Sequence, residues 1–146
     1  MNRKSILFYK IGCWILFVFS AAHLLGHFQA ATNQFTDDRG KLLWNLLNNY
    51  KRDFMGVSRS TADFLNGFSL LLFFTTLYLG IQNLVVLKHN SKNLKFMKVY
   101  TLLNVLFFFV AVLLSIFYFI YPPLILFALI FLMYLISLLL TGKEST

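Results

Sequence analysis

The stretch VYTLLNVLFFFVAVLLSIFYF (residues 99–119), the turn IYPP (120–123) and the run LILFALIFLMYLISLLL (124–140) decide the fold. Crossing about 30 Å of hydrocarbon takes about 20 helical residues at a rise of about 1.5 Å each. The first run meets that length; the second is near the short limit but carries no charge. Pro122 and Pro123 lack the N–H that a continuing helix needs and their rings crowd the preceding turn. The chain therefore turns there, and two antiparallel spans follow.

Working outward, two more runs pass the same test. Residues 64–87 form one. Residues 6–30 form the other, interrupted only by Lys10, His23 and His27. The apolar N-terminal run is too long for the h-region of a cleaved signal peptide, so it reads as the first span. Composition agrees: 59% of the 146 residues are hydrophobic and 12% charged, about half the charged share of a soluble domain. Eighteen Phe exceed what so small a core can hide, so much of the surface must face something apolar. The single cysteine, Cys13, lies within the first span, where a lone thiol is inert packing.

Basic residues set the expected orientation. The head (Arg3, Lys4, Lys10), the 88–98 loop (Lys88, Lys92, Lys95, Lys98) and the tail (Lys143) hold eight cations against one acid, Glu144. The other side holds Arg39, Lys41, Lys51, Arg52 and Arg59 against Asp37, Asp38, Asp53 and Asp63. Both termini are thus expected in the cytoplasm. The +8 formal charge is a topology signal that needs no nucleic acid to explain it; at most it adds attraction to anionic lipid heads.

The long outer loop also carries a pattern. From Lys41 to Phe54, Leu43, Leu46, Leu47, Tyr50 and Phe54 recur at helical spacing, with Lys41, Asn45, Asn48, Asn49 and Arg52 mostly opposite. This predicts an amphipathic helix ended by Gly56, lying in the outer interface or folded onto the bundle as a lid. Ser60-x-x-Asp63 then matches a capping box that starts the second span.

Helix–helix faces in membranes collect small and polar residues. Each span shows such a stripe: Cys13, Leu16, Ser20, His23, His27, Ala30; Asn66, Ser69, Phe73, Thr76, Gly80, Asn83; Thr101, Asn104, Phe108, Ala111, Ser115, Tyr118; and Tyr134, Ser137, Thr141. Beside the first runs the ladder Ala22, Gly26, Ala30, suited to a close neighbour. The expectation is an all-α integral membrane protein: one membrane domain over residues 1–146, a four-helix up-down bundle with both ends inside. The alternative is that the stripes face another chain, as in a larger membrane complex or a homo-oligomer.

One polar cluster stands out. His23 and His27 share a helix face and lie ~27–33 Å up the helix from Ser5, at the outer interface. Asp63 and Asn66 open the second span at that level, with Arg59 just before them. Ionisable groups within spans are costly and point to function. Three chemistries are open: a metal ion held by His23, His27 and Asp63 with a position left for water; a proton or ion relay through His23, Asp63 and Arg59; and a quinone or lipid headgroup held by His27, Arg59 and Asp63. Haem held by two histidines of one chain is not expected, because both intramembrane histidines share a helix and His89 belongs to the opposite end. Against these stands a purely structural arrangement, with Asp63 capping a helix and pairing with Arg59 while the histidines hydrogen-bond to loop backbone. No nucleophile–base pair, phosphate loop or cysteine cluster makes a positive case for an enzyme.

Two stretches carry a resemblance: Ala22-His23-Leu24-Leu25-Gly26-His27, and the segment from Tyr50 through Met55-Gly56-Val57-Ser58-Arg59-Ser60 into Asp63-Phe64-x-x-Gly67-Phe68. They resemble a family of small uncharacterised four-span bacterial membrane proteins with a Gly-His pair in the first helix and Met-Gly-x-Ser-Arg-Ser before the second. The match covers roughly residues 20–70. It implies the four-span fold and a bacterial inner membrane, and it brings no activity. The functional expectation is therefore an accessory subunit or a small-ligand or lipid-binding protein; the alternative is a metal- or quinone-dependent redox protein using His23, His27 and Asp63.

Overall fold

The computed structural model describes residues 1–32 and 35–142. Asn33 and Gln34 of the expected loop, and Lys143 and Glu144 of the expected cytoplasmic tail, lie outside the described residues. The elements are α1 (Arg3–Thr32), α2 (Asp38–Asn49), β1 (Lys51–Phe54), β2 (Val57–Ser60), α3 (Thr61–Asn90), α4 (Leu94–Tyr118) and α5 (Tyr121–Gly142). Of these, α1, α3, α4 and α5 are long and apolar enough to cross a membrane. The described residues are thus mainly helical, with one short hairpin and four membrane-spanning candidates.

Helices α1 and α3 outrun the apolar runs that announced them. Charge ends a hydrophobic span but not a helix, so α3 continues through Lys88 and His89. Only residues 91–93 then separate it from α4, and the Asn93 side chain accepts from the Phe96 N–H (3.1 Å) as the cap of α4. At the other junction the break falls at Phe119 and Ile120, not at the prolines. Pro122 and Pro123 sit in the first turn of α5, where their missing N–H groups would have had no helical partner anyway.

The chain divides into two compact units, Met1–Phe19 with Thr76–Thr146, and Ser20–Thr75. In the first, segments of all four long helices enclose a core of Tyr9, Cys13, Leu16, Phe19, Met97, Phe108, Ile130 and Tyr134. Gly12 lies under the Tyr134 ring, where an added Cβ would come within 3.2 Å of it, and Gly80 lies under Phe17 at the same distance. Polar side chains are nearly as common inside as apolar ones, while Phe, Leu and Val dominate the outside. That inversion suits a chain solvated by lipid, where polar groups must find partners internally.

The interior hydrogen bonds tie the helices together. Ser5 Oγ donates to the Ser137 carbonyl (2.8 Å) and Ser137 Oγ donates back to the Ser5 carbonyl (3.0 Å), with Thr141 Oγ1 2.6 Å from Ser5 Oγ. A second cluster joins three helices. Asn83 Oδ1 accepts from the Tyr9 hydroxyl (2.5 Å) and from Asn104 Nδ2 (2.8 Å). Each amide also donates to its own helix, Asn83 to the Leu79 carbonyl and Asn104 to that of Tyr100.

The stripes read from the sequence are largely the buried faces: Cys13, Leu16 and Ser20; Thr76, Gly80 and Asn83; Thr101, Asn104, Phe108 and Ser115; Tyr134, Ser137 and Thr141. They fail toward their ends, where Ala30, Asn66 and Tyr118 are exposed. The ladder Ala22, Gly26, Ala30 has no close neighbour: all three are exposed, and a Cβ built on Gly26 meets open space.

Candidate functional site

The second unit, Ser20–Thr75, contains every residue of the expected polar cluster. Its loop differs from the helix expected over residues 41–54. Asp37 caps α2 by accepting from the Gly40 N–H (3.0 Å), so the helix starts earlier. It ends at Asn49, and residues 51–60 form an antiparallel hairpin. Met55 (φ 53°) and Gly56 (φ 81°) make the two-residue turn, the left-handed pair that a tight hairpin requires. Asp53 locks it by accepting from the Gly56 N–H (2.9 Å). No residue of α2 is buried, so α2 is not a packed lid.

The hairpin runs directly into α3 through the expected capping box. Asp63 accepts from the Ser60 N–H (2.8 Å) and Ser60 Oγ accepts from the Asp63 N–H (3.1 Å). These reciprocal bonds satisfy helix-start donors and fix the hairpin to the helix. Arg59 is thereby held one residue before the cap. Its ladder partner, directly opposite, is Arg52.

Beneath Arg59 and Asp63 opens a groove of about 270 Å3, lined further by Phe64, Gly67, Phe68 and Leu71. Asp63, Gly67 and Leu71 follow one another at i, i+4 spacing, and Phe64 and Phe68 form the adjacent row. Gly67 makes the notch: a Cβ built there meets nothing within 4 Å. Arg59 and Asp63 belong to the groove's lining, but the surface it presents is almost wholly apolar. Its volume falls just below the range of about 300–1,000 Å3 for sites that engulf a small molecule.

The two histidines converge on Ser69 instead. His23 Nε2 lies 3.1 Å from both the carbonyl and the hydroxyl oxygen of Ser69, and His27 Nδ1 lies 3.1 Å from the same hydroxyl. A carbonyl only accepts, so His23 Nε2 is the donor in its bond to the Ser69 carbonyl. One serine thus joins both imidazoles to α3. The histidines are half-buried.

Asp63 is engaged by Ser60, and Asn66 is exposed. Among the described residues, no group of three or more His, Cys, Asp or Glu side chains is placed to hold a metal ion. The residues singled out from the sequence therefore separate into a histidine–serine contact, and Arg59 with Asp63 at the groove. Sequence reading missed the notch at Gly67 and the pairing of Arg52 with Arg59. The spacing Asp53-x-x-Gly56 was the available signal for the turn that creates the pairing. No protein-family model, curated protein or solved structure matches the chain.

Proposed function

We propose that the chain is a non-enzymatic multi-pass protein of the bacterial inner membrane that binds a lipid in the α3 groove. The single observation behind this reading is the shape of the groove: a charged mouth at Arg59 and Asp63, opening onto an apolar channel floored by Gly67. That pairing suits an amphiphile whose head rests at the mouth and whose chain lies along Phe64, Phe68 and Leu71. A groove this small and open favours part of a lipid over an engulfed quinone ring.

The reading includes an orientation. Eight cations against one acid on the side of both termini support a cytoplasmic head, 88–98 loop and tail. The groove mouth then faces the outer headgroup layer. Helix α2 leaves Leu42, Leu43 and Leu46 exposed; it lies in that interface with these residues toward the acyl chains.

Native mass spectrometry of protein extracted in mild detergent tests the proposal, with Gly67→Leu as the comparison. Because space is open above Gly67 and Leu is the better helix former, the variant should fold at least as well while filling the notch. The expected result is a retained lipid on the wild type that Gly67→Leu loses. Equal retention by both would refute the proposal.

A further inference from the structure

We infer that the head of the bound lipid is an anionic phosphate, gripped jointly by Arg52 and Arg59; the inference rests on the reading of the groove as a lipid site. Directly opposite residues of an antiparallel pair share a face, with Cβ atoms about 4.5–5.5 Å apart, and like charges there are destabilising. The register puts Arg52 opposite Arg59, a like-charged pair that an anion shared by the two side chains would stabilise.

The nearby carboxylates offset these charges only in part: Asp63 lies close enough to Arg59 and Lys51 to feel both. Asp53 accepts from the Gly56 N–H and Asp63 from the Ser60 N–H, and neither forms an ion pair with an arginine among the described residues. Lys51 adds a third cation beside Arg52, so three cations face two carboxylates across residues 51–63. The guanidinium groups are also steadied. That of Arg52 rests 5.6 Å from the centre of the Tyr50 ring, and Arg59 Nη1 donates to the Ser58 carbonyl (3.3 Å). Arg59 spends one of its five N–H donors on that bond. The others make no hydrogen bond among the described residues and can fork onto phosphate oxygens, the geometry for which arginine is suited.

Position selects the source of the phosphate. Arg59 forms part of the groove lining together with Phe64, Gly67, Phe68 and Leu71, so a phosphate at the arginine pair has an apolar channel running away from it. A phospholipid fills both; a free phosphate fills one. A zwitterionic head brings its own cation toward the arginines, whereas phosphatidylglycerol does not.

The test is a titration of detergent-solubilised full-length protein with phosphatidylglycerol and with phosphatidylcholine of the same acyl chains. It is run on the wild type, Arg52→Gln/Arg59→Gln and Gly67→Leu, with helicity checked by circular dichroism. Wild type should prefer phosphatidylglycerol about tenfold, and the double glutamine variant should lose that preference while still binding phosphatidylcholine. Arg52→Lys/Arg59→Lys, a second variant that keeps the charge, should retain only part of it. Equal wild-type affinity for the two lipids that Arg52→Gln/Arg59→Gln leaves unchanged, with both lost in Gly67→Leu, would overturn the phosphate grip and leave the groove standing. Binding that Gly67→Leu does not alter would remove the groove and the inference together. Displacement of phosphatidylglycerol by inorganic phosphate at matching concentration would overturn the lipid as source.

Discussion

Replacing Asn83 by Leu removes the hub of the buried amide cluster while keeping its branched outline. Three interhelical contacts disappear: the Tyr9 hydroxyl to Asn83 Oδ1, Asn104 Nδ2 to the same oxygen, and Asn83 Nδ2 to Asn104 Oδ1 (3.3 Å). Interhelical hydrogen bonds in membranes average about 0.6 kcal/mol, so the loss totals about 2 kcal/mol. The better helix propensity of Leu returns about 0.5 kcal/mol, which leaves a net destabilisation of about 1.5 kcal/mol. Thr101 provides the contrast, because its buried Oγ1 has no hydrogen-bond partner among the described residues. Thr101→Val removes that unsatisfied hydroxyl and should be neutral or stabilising by up to about 1 kcal/mol. Reversible unfolding in mixed micelles, titrated with denaturing detergent, measures both. An Asn83→Leu protein within about 0.3 kcal/mol of wild type, or a Thr101→Val protein clearly less stable, would refute the claim that internal polar pairing holds this bundle.

Other expectations follow from local geometry. Ser60→Ala should cost about 1 kcal/mol by opening the α3 cap, seen as faster amide exchange over the first turn of α3. Met55→Asn should slow exchange across the hairpin, since Met55 holds a left-handed conformation that Asn tolerates better; unchanged exchange would contradict the turn. Ser69→Ala should cost about 1 kcal/mol, and combining it with His27→Ala should add little, because the two residues share one bond. Full additivity would mean that the serine does not join the histidine to α3.

Periodicity carried the sequence reading well where one face of a long helix is repeated many times. The stripes through Cys13, Asn83, Asn104 and Tyr134 were legible because lipid makes every outward position apolar and leaves polar residues nowhere else to go. Helix ends were less legible: Lys88 and His89 stop the hydrophobic signal but remain helical. The loop misled for a different reason. Tyr50 and Phe54 continue the helical spacing of Leu43, Leu46 and Leu47 by coincidence, while the Asp53 side chain and Gly56 backbone turn the chain into a hairpin. Cross-strand register then paired Arg52 with Arg59, which spacing along a helix does not reveal. Equal depth along two helices suggested that His23, His27 and Asp63 share a ligand. The hydrogen bonds sort them by neighbour instead, the histidines to Ser69 and the aspartate to Ser60.

The most direct test of the lipid site is to map where a lipid touches the protein. A phosphatidylglycerol with a photoactivatable group near the top of one acyl chain is reconstituted with the full-length protein in bilayers, crosslinked, and located by peptide mass spectrometry. The account predicts labelling concentrated at Phe64, Gly67, Phe68 and Leu71, and its loss in Gly67→Leu. Labelling spread evenly over the exposed Phe and Leu residues of all four long helices, unchanged in that variant, would contradict it.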